Sequence, residues 1–200
     1  MNDIADISNS IDVNIIEDMA TIMNKRLQEH RGRLFILGIG GSHGTGSHAV
    51  NDFRKLCGIE THTPFDNASE MTARINDDGW DNCLVDWLKS YDLGCDDIVL
   101  ILSVGGGNIE KNISANIVKA IQYVQSLGNE RMLSRPYIMG IVGKNDGHTA
   151  THADKCLVIP IFYNEMITPY AESFQSIVLH LLVSHPKLQL FEAKWESIDN

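Results

Sequence analysis

The chain has 200 residues, 44% of them hydrophobic and 21% charged, and a formal net charge of −10. This length and composition suit a single α/β domain with a full core and exclude disordered and collagen-like classes. The charge argues against broad binding to nucleic acid or an anionic membrane, so any phosphate site must be built locally, from backbone N–H groups and hydroxyls.

The four cysteines, Cys57, Cys83, Cys95 and Cys156, form no CxxC pair and show no metal spacing, which reads as free thiols in a reducing cytoplasm. The N-terminus, acidic through Asp3 and Asp6, lacks a signal-peptide charge pattern. No apolar run approaches the roughly 20 residues needed to span a bilayer. A cytoplasmic location is expected.

In chain order, Ile11, Ile15, Ile16, Met19, Ile22, Met23 and Leu27 form a helical stripe that ends at His30-Arg31-Gly32. A helix at this place must bury its stripe on a sheet or on another subunit, and the subunit is the favoured expectation. Residues 1–32 are therefore set apart as an N-terminal helical segment used in oligomerisation, with residues 33–200 as the main domain. Leu34-Phe35-Ile36-Leu37 reads as a buried strand, followed by the turn Gly38-Ile39-Gly40-Gly41-Ser42 and a helix from about Gly46 to Cys57. Gly58 to Thr63 is a second strand, with Asp66 or Asn67 capping a helix over Ser69 to Ile75. Asn76-Asp77-Asp78-Gly79-Trp80 reads as a turn, before a helix carrying Leu84, Val85, Trp87 and Leu88. Ile98 to Leu102 is the clearest buried strand, and it ends in a second glycine turn, Ser103-Val104-Gly105-Gly106-Gly107-Asn108.

A helix over Ser114 to Leu127 leads to a strand over Tyr137 to Gly143, a polar connection over Lys144 to Asp154, and a strand over Cys156 to Ile161. Thr168 at the N-cap and Pro169 at the first helical position start a last helix that runs to Ser184-His185-Pro186. Strands alternating with helices predict a doubly wound, mostly parallel sheet flanked by helices.

Two glycine turns follow two apolar strands, at the end of the sheet where open α/β folds bind ligands. A dinucleotide site competes with a phosphate cradle here, but Gly38-Ile39-Gly40-Gly41-Ser42-His43 lacks the last glycine of GxGxxG, and Glu60 is the only acid near the ribose offset. The absence of Gly-Lys-Ser/Thr excludes a P-loop. His48 and Asp52 share a helix face four residues apart, and the last helix carries Glu172, Gln175 and His180 in an apolar setting. Glu172 and His180 are separated by about 12 Å of helix rise, so one metal could take both only if their side chains converge or two chains contribute. His148 and His152 form a second pair at metal-ligand spacing, with Asp154 the only further ligand nearby. A solvated connection is the competing reading of that pair.

These residues together resemble the sugar-isomerase (SIS) domain proteins, and within them the sedoheptulose 7-phosphate isomerase (phosphoheptose isomerase) family. The resemblance covers nearly the whole chain. It is carried by Gly38-Ile39-Gly40-Gly41-Ser42 with His48 and Asp52, by Asn76-Asp77-Asp78-Gly79-Trp80, by Ser103 with its glycine turn, and by Thr168-Pro169 leading to His180. It implies a SIS domain, a homotetramer with active sites at subunit interfaces, and a zinc ion.

By the same resemblance, Asp52 and His180 are the catalytic residues and His48, Asp52, Glu172 and His180 the metal ligands. Substrate contacts are expected from Gly40, Gly41, Ser42, Asn76, Asp77, Ser103, Val104, Gly105, Asn108 and Glu172. Aligning on glutamine would choose Gln175 in place of Glu172 but would leave Val183 where the histidine belongs. The chain departs from the family's pattern at Ile39, which replaces an asparagine, at Asp52 and Glu172, which replace glutamate and glutamine, and in the turn after Ser103, which has lost hydroxyl donors. The implied reaction interconverts sedoheptulose 7-phosphate and an aldose heptose 7-phosphate through an enediol, with Asp52 as base and His180 as acid, for heptose biosynthesis. The alternatives are isomerisation of another sugar phosphate and a non-catalytic SIS protein that senses a sugar phosphate or scaffolds a partner.

Overall fold

Five segments pair as parallel strands: β1 (Leu34–Gly38), β2 (Thr61–His62), β3 (Ile98–Ser103), β4 (Tyr137–Val142) and β5 (Lys155–Val158), in the spatial order β2-β1-β3-β4-β5. The computed structural model describes residues 2–130 and 134–194. Met1, residues 131–133 and residues 195–200, which the two expected segments include, lie outside the described residues. Strand order reverses between β1 and β3, which makes the carboxyl ends of those two strands the switch point where such sheets take ligands.

Successive residues of each strand point to opposite faces, so Leu34 and Ile36 enter one core while Phe35 and Leu37 enter the other. The first face is covered by α2 (Val13–Met23), α3 (Gly41–Cys57) and α8 (Ile167–Val183); the second by α4 (Ala68–Asp78), α5 (Cys83–Lys89) and α6 (Ala115–Glu130). Two short helices complete the set, α1 (Asn2–Ser10) at the start and α7 (His148–His152) between β4 and β5. No helix among the described residues is long and apolar enough to cross a membrane.

Several boundaries differ from expectation for identifiable reasons. The N-terminal stripe is split into α2 and a π-helical turn, Asn24–Glu29, and it covers the chain's own sheet: Ile16, Met19, Met23 and Leu27 are buried in the first core. The segment is thus part of the chain's own fold before any subunit is considered. Helix α3 starts at Gly41, well before Gly46, because its glycines permit contact with the sheet. A Cβ on Gly46 would stand 2.9 Å from Cγ2 of Ile36 and 3.3 Å from Cδ1 of Leu102.

The expected turn at 76–80 begins as helix. Asn67 caps α4 by accepting the N–H of Glu70 (3.3 Å), and the helix runs on to Asp78, where Gly79 ends it at φ 80°. The last helix begins at Ile167 after a 3-10 turn, Asn164–Met166, so Thr168 is not its cap. Pro169 is accommodated because first-turn N–H groups have no intrahelical partner. The fifth strand stops at Val158, before Pro160.

Candidate active site

Helices α3 and α8 lie side by side on the first face of the sheet. Ala49, Val50 and Phe53 commit one side of α3 to the core, and Val178, Leu179 and Leu182 do the same for α8. The residues left at the seam are His48, Asp52 and His180. Nε2 of His48 stands 3.3 Å from Oδ2 of Asp52, and Nε2 of His180 stands 3.8 Å from the same oxygen. The two imidazole centroids are 5.4 Å apart. Asp52 is the most enclosed of the three, with 16% of its side chain exposed against 60% for His48 and 46% for His180. Its other oxygen, Oδ1, accepts from Nδ2 of Asn51 at 3.1 Å. Behind it, burial and the charge of Asp52 push the Cys57 thiol up to about 12.

The donor set fits a divalent metal. One ligand atom each from His48, Asp52 and His180 lies within 4.8 Å of the others, and imidazole with carboxylate is a donor combination that zinc accepts. Nδ1 of His180 lies 2.9 Å from the carbonyl oxygen of Ser176. A carbonyl can only accept, so Nδ1 carries the proton, which leaves the Nε2 lone pair of the neutral ring free as a ligand. Glu172 is not part of the set, contrary to expectation. It lies two turns earlier on α8, and its carboxylate rests against Gly41 at the start of α3, where a Cβ on that glycine would collide with it. Gln175 is no substitute: it is fully buried and donates through Nε2 to the carbonyl of Ile141 (3.1 Å).

The second element of the site is a cavity of about 350 Å³ at the switch point. Ser42 comes to it from the start of α3; Ser103, Val104 and Gly105 from the end of β3; Ser114 from the approach to α6; Lys144 from the end of β4; and Thr168 from the first turn of α8. Its apolar walls include Ile39, Leu102, Ile113 and Ile117. The turn after Ser103 is held from two sides. Oγ of Ser103 accepts the N–H of Gly106 at 3.0 Å. From α7, the N–H of His148 is donated to the Gly107 carbonyl, and the N–H and hydroxyl of Thr149 to that of Gly106. Gly106 and Gly107 have φ of 73° and 83°, which a side chain would strain.

Of the expected substrate residues, Ser42, Ser103, Val104 and Gly105 line this cavity together, while Gly40 and Gly41 do not. Asn108 is turned aside. It pairs with Ile113 in a small antiparallel bridge, and its Oδ1 accepts the N–H of Lys111. Asn76 and Asp77 sit exposed in the last turn of α4, bonded to each other at 2.8 Å, on the layer opposite α3 and α8. The chain by itself does not bring them to the site.

The His148/His152 pair is stacked, with ring centroids 3.8 Å apart and an interplanar angle of 14°. Asp154, its only candidate third ligand, is taken by Arg135 and by the N–H of Ile138. Among the described residues the pair is not part of a group of converging metal ligands. Sequence reasoning missed Ser114, Lys144 and Thr168. For Lys144 the available signal was its place directly after an apolar strand, at the end where these sheets bind ligands.

No protein-family model matches the chain, and no curated protein matches it in sequence. Solved structures do match in fold. The chain is similar to a phosphoheptose isomerase from Neisseria gonorrhoeae, with 20% identity, a TM-score of 0.68, and coverage of 86% of this chain and 84% of that one. It is similar to a phosphoheptose isomerase from Francisella tularensis, with 17% identity, a TM-score of 0.74, and coverage of 91% and 89%. It also resembles the sugar isomerase domain of an RpiR transcription factor from Sphaerobacter thermophilus, with 16% identity, a TM-score of 0.56, and coverage of 92% and 82%. The fold is that of a SIS domain.

Proposed function

We propose that the chain is a cytoplasmic aldose–ketose isomerase, working as a zinc-containing homotetramer, that converts sedoheptulose 7-phosphate to D-glycero-D-manno-heptose 7-phosphate for heptose biosynthesis. The observation that carries this reading is the placement of two sites on one pair of helices. A hydroxyl-lined cavity lies where α3 and α8 begin, and a His/Asp/His cluster lies further along the same helices. Six residues of α3 separate Ser42 from His48, about 9 Å of helix rise. An extended seven-carbon chain is long enough to cover that stretch of α3, from the edge of the cavity at Ser42 to the cluster. Glu172, against Gly41, stands between the two.

Isomerisation requires a base to move a proton between C1 and C2, an acid at the oxygens, and a fixed phosphate to hold the reacting carbons in register. Asp52 is the base: its Oδ2 faces the seam, 3.3 Å from Nε2 of His48 and 3.8 Å from Nε2 of His180. His180 is the acid: with Nδ1–H held by the Ser176 carbonyl, the proton it gives is one carried on Nε2, so it acts as acid while that nitrogen is not a metal ligand. Zinc at His48, Asp52 and His180 would polarise the sugar carbonyl. The cavity anchors the far end of the substrate.

Incubation of zinc-replete protein with sedoheptulose 7-phosphate, followed by NMR, is expected to show the aldose product. No turnover by the wild type would overturn the reading. Turnover surviving in both Asp52→Asn and His180→Ala would overturn the residue assignment alone. The likeness to a transcription factor's sugar isomerase domain, together with the loss of hydroxyls at Val104 and Gly105, favours a second reading: a sugar-phosphate sensor that binds without reacting. Tight binding without turnover identifies that case.

A further inference from the structure

We propose that Lys144 supplies the positive charge that holds the ligand's phosphate, and that the phosphate therefore sits between the ends of β3 and β4 and not at the start of α3. The proposal rests on the reading of the switch-point cavity as a phosphate site and names the residue that makes it one.

Four observations support it. First, among the described residues Lys144 is the only cationic residue lining that cavity. It makes no hydrogen bond or ion pair among the described residues, although most other lysines and arginines described here are paired with carboxylates or carbonyls. Its backbone is held in place, because the N–H of Gly143 is donated to the carbonyl of Val104 at 2.9 Å, tying the end of β4 to the turn after β3.

Second, the start of α3 is already occupied. The Glu172 carboxylate lies against Gly41 there, and a phosphate dianion brought to the same place would meet a like charge in a partly desolvated setting. Third, Val104, Gly105, Gly106 and Gly107 in the turn after Ser103 carry no hydroxyl, and the N–H groups and hydroxyls that remain at the cavity carry no net charge. The net charge of −10 adds a field that opposes anions, so the local cation decides whether one binds.

Fourth, Lys144 also borders a neighbouring cavity of about 370 Å³ beyond β4 and β5, but that cavity is lined by Asp146 as well. A carboxylate on its wall makes it a poorer place for phosphate than the first cavity, whose described lining residues include no carboxylate. A flexible lysine acting as a point charge is a standard way to hold a phosphate monoester. Ser114, directly before the sixteen-residue α6, places the positive end of a helix dipole on the same side.

The test is titration with inorganic phosphate at low ionic strength, followed by 31P NMR or calorimetry, on the wild type and on Lys144→Met, Lys144→Arg and Lys119→Met. Lys119 lies on α6 and is paired with Asp81, so its substitution removes the same charge away from the cavity. Lys144→Met is expected to weaken phosphate binding at least tenfold, Lys144→Arg to retain most of the affinity, and Lys119→Met to leave it unchanged. A loss of less than tenfold in Lys144→Met, an equal loss in Lys119→Met, or no phosphate binding by the wild type would overturn the assignment. The readout does not depend on turnover. Lys144-dependent phosphate binding without isomerisation removes the isomerase and keeps this site, while isomerisation with unchanged phosphate affinity in Lys144→Met does the reverse.

Discussion

The carboxylate of Glu172 rests on Gly41, filling the space that any larger residue at position 41 would need. The obstacle is the far end of a flexible side chain, so Gly41→Ala should be accommodated by rotation of Glu172 and not by movement of α3. Alanine is favoured over glycine inside a helix by up to about 1 kcal/mol, and the unfolding free energy in urea should stay within about that of the wild type. If the position of Glu172 matters to the substrate, turnover falls all the same. In a double-mutant cycle with Glu172→Ala, the second substitution should then add little to the first. Additive losses would show that Gly41 acts by another route.

Zinc affinity separates the observed cluster from the four-ligand set expected from resemblance. Competition with a chromophoric chelator should show one equivalent per chain. His48→Ala, Asp52→Asn and His180→Ala should each weaken it by about tenfold or more, at least the loss seen when residues that merely support a ligand are changed. Glu172→Gln should change it by less than about twofold, because Glu172 lies outside the group of converging ligand atoms. A loss in Glu172→Gln equal to that in Asp52→Asn would return Glu172 to the metal.

The contrast between these residues shows what the sequence can and cannot carry. His48 and Asp52 were readable as a pair because helical spacing fixes which side chains share a face, and β1 and β3 were readable because strands buried on both faces are continuously apolar. Glu172 was misplaced because periodicity gives a face but not the direction in which a long side chain leans. The start of α3 was placed too late because Gly41, Gly44 and Gly46 look like a loop. Only the packing of Gly46 on Ile36 and Leu102 reveals why a helix needs a glycine there. Lys144 carried only the signal of its place after an apolar strand. It becomes a candidate once the sheet order sets the end of β4 beside the end of β3.

Stability should fall on mild acidification. Burial holds the imidazoles of His43 and His148 below their ordinary value of 6.5; the nearby charge of Asp66 partly offsets this for His43, and His152 reinforces it for His148. Below pH 6.5 the unfolded chain takes up these protons while the native state does not, so stability is lost as pH falls from that value towards the lowered native ones. Each ring also has a buried nitrogen without a hydrogen-bond partner among the described residues, Nδ1 of His43 and Nε2 of His148. Urea midpoints measured from pH 7 to pH 5 should decline, and His148→Asn should flatten part of that slope. An unchanged slope would assign the acid sensitivity to other groups.

Gly147 presents the opposite case to Gly41. A Cβ built there would collide with the carbonyl of Gly105 and come within 3.0 Å of Cα of Gly106, so the obstacle is backbone and neither side can swing away. Gly147→Ala should therefore cost about 1–3 kcal/mol, the usual range for overpacking a close contact. The strain should not stay local. The turn it presses on forms part of the wall of the switch-point cavity, and α7 grips that turn through the N–H groups of His148 and Thr149. Phosphate affinity should fall together with stability in Gly147→Ala, whereas Gly41→Ala should leave phosphate affinity intact if the phosphate is held at Lys144. Titration of both variants with inorganic phosphate checks this. A loss in Gly41→Ala with none in Gly147→Ala would put the phosphate back at the start of α3.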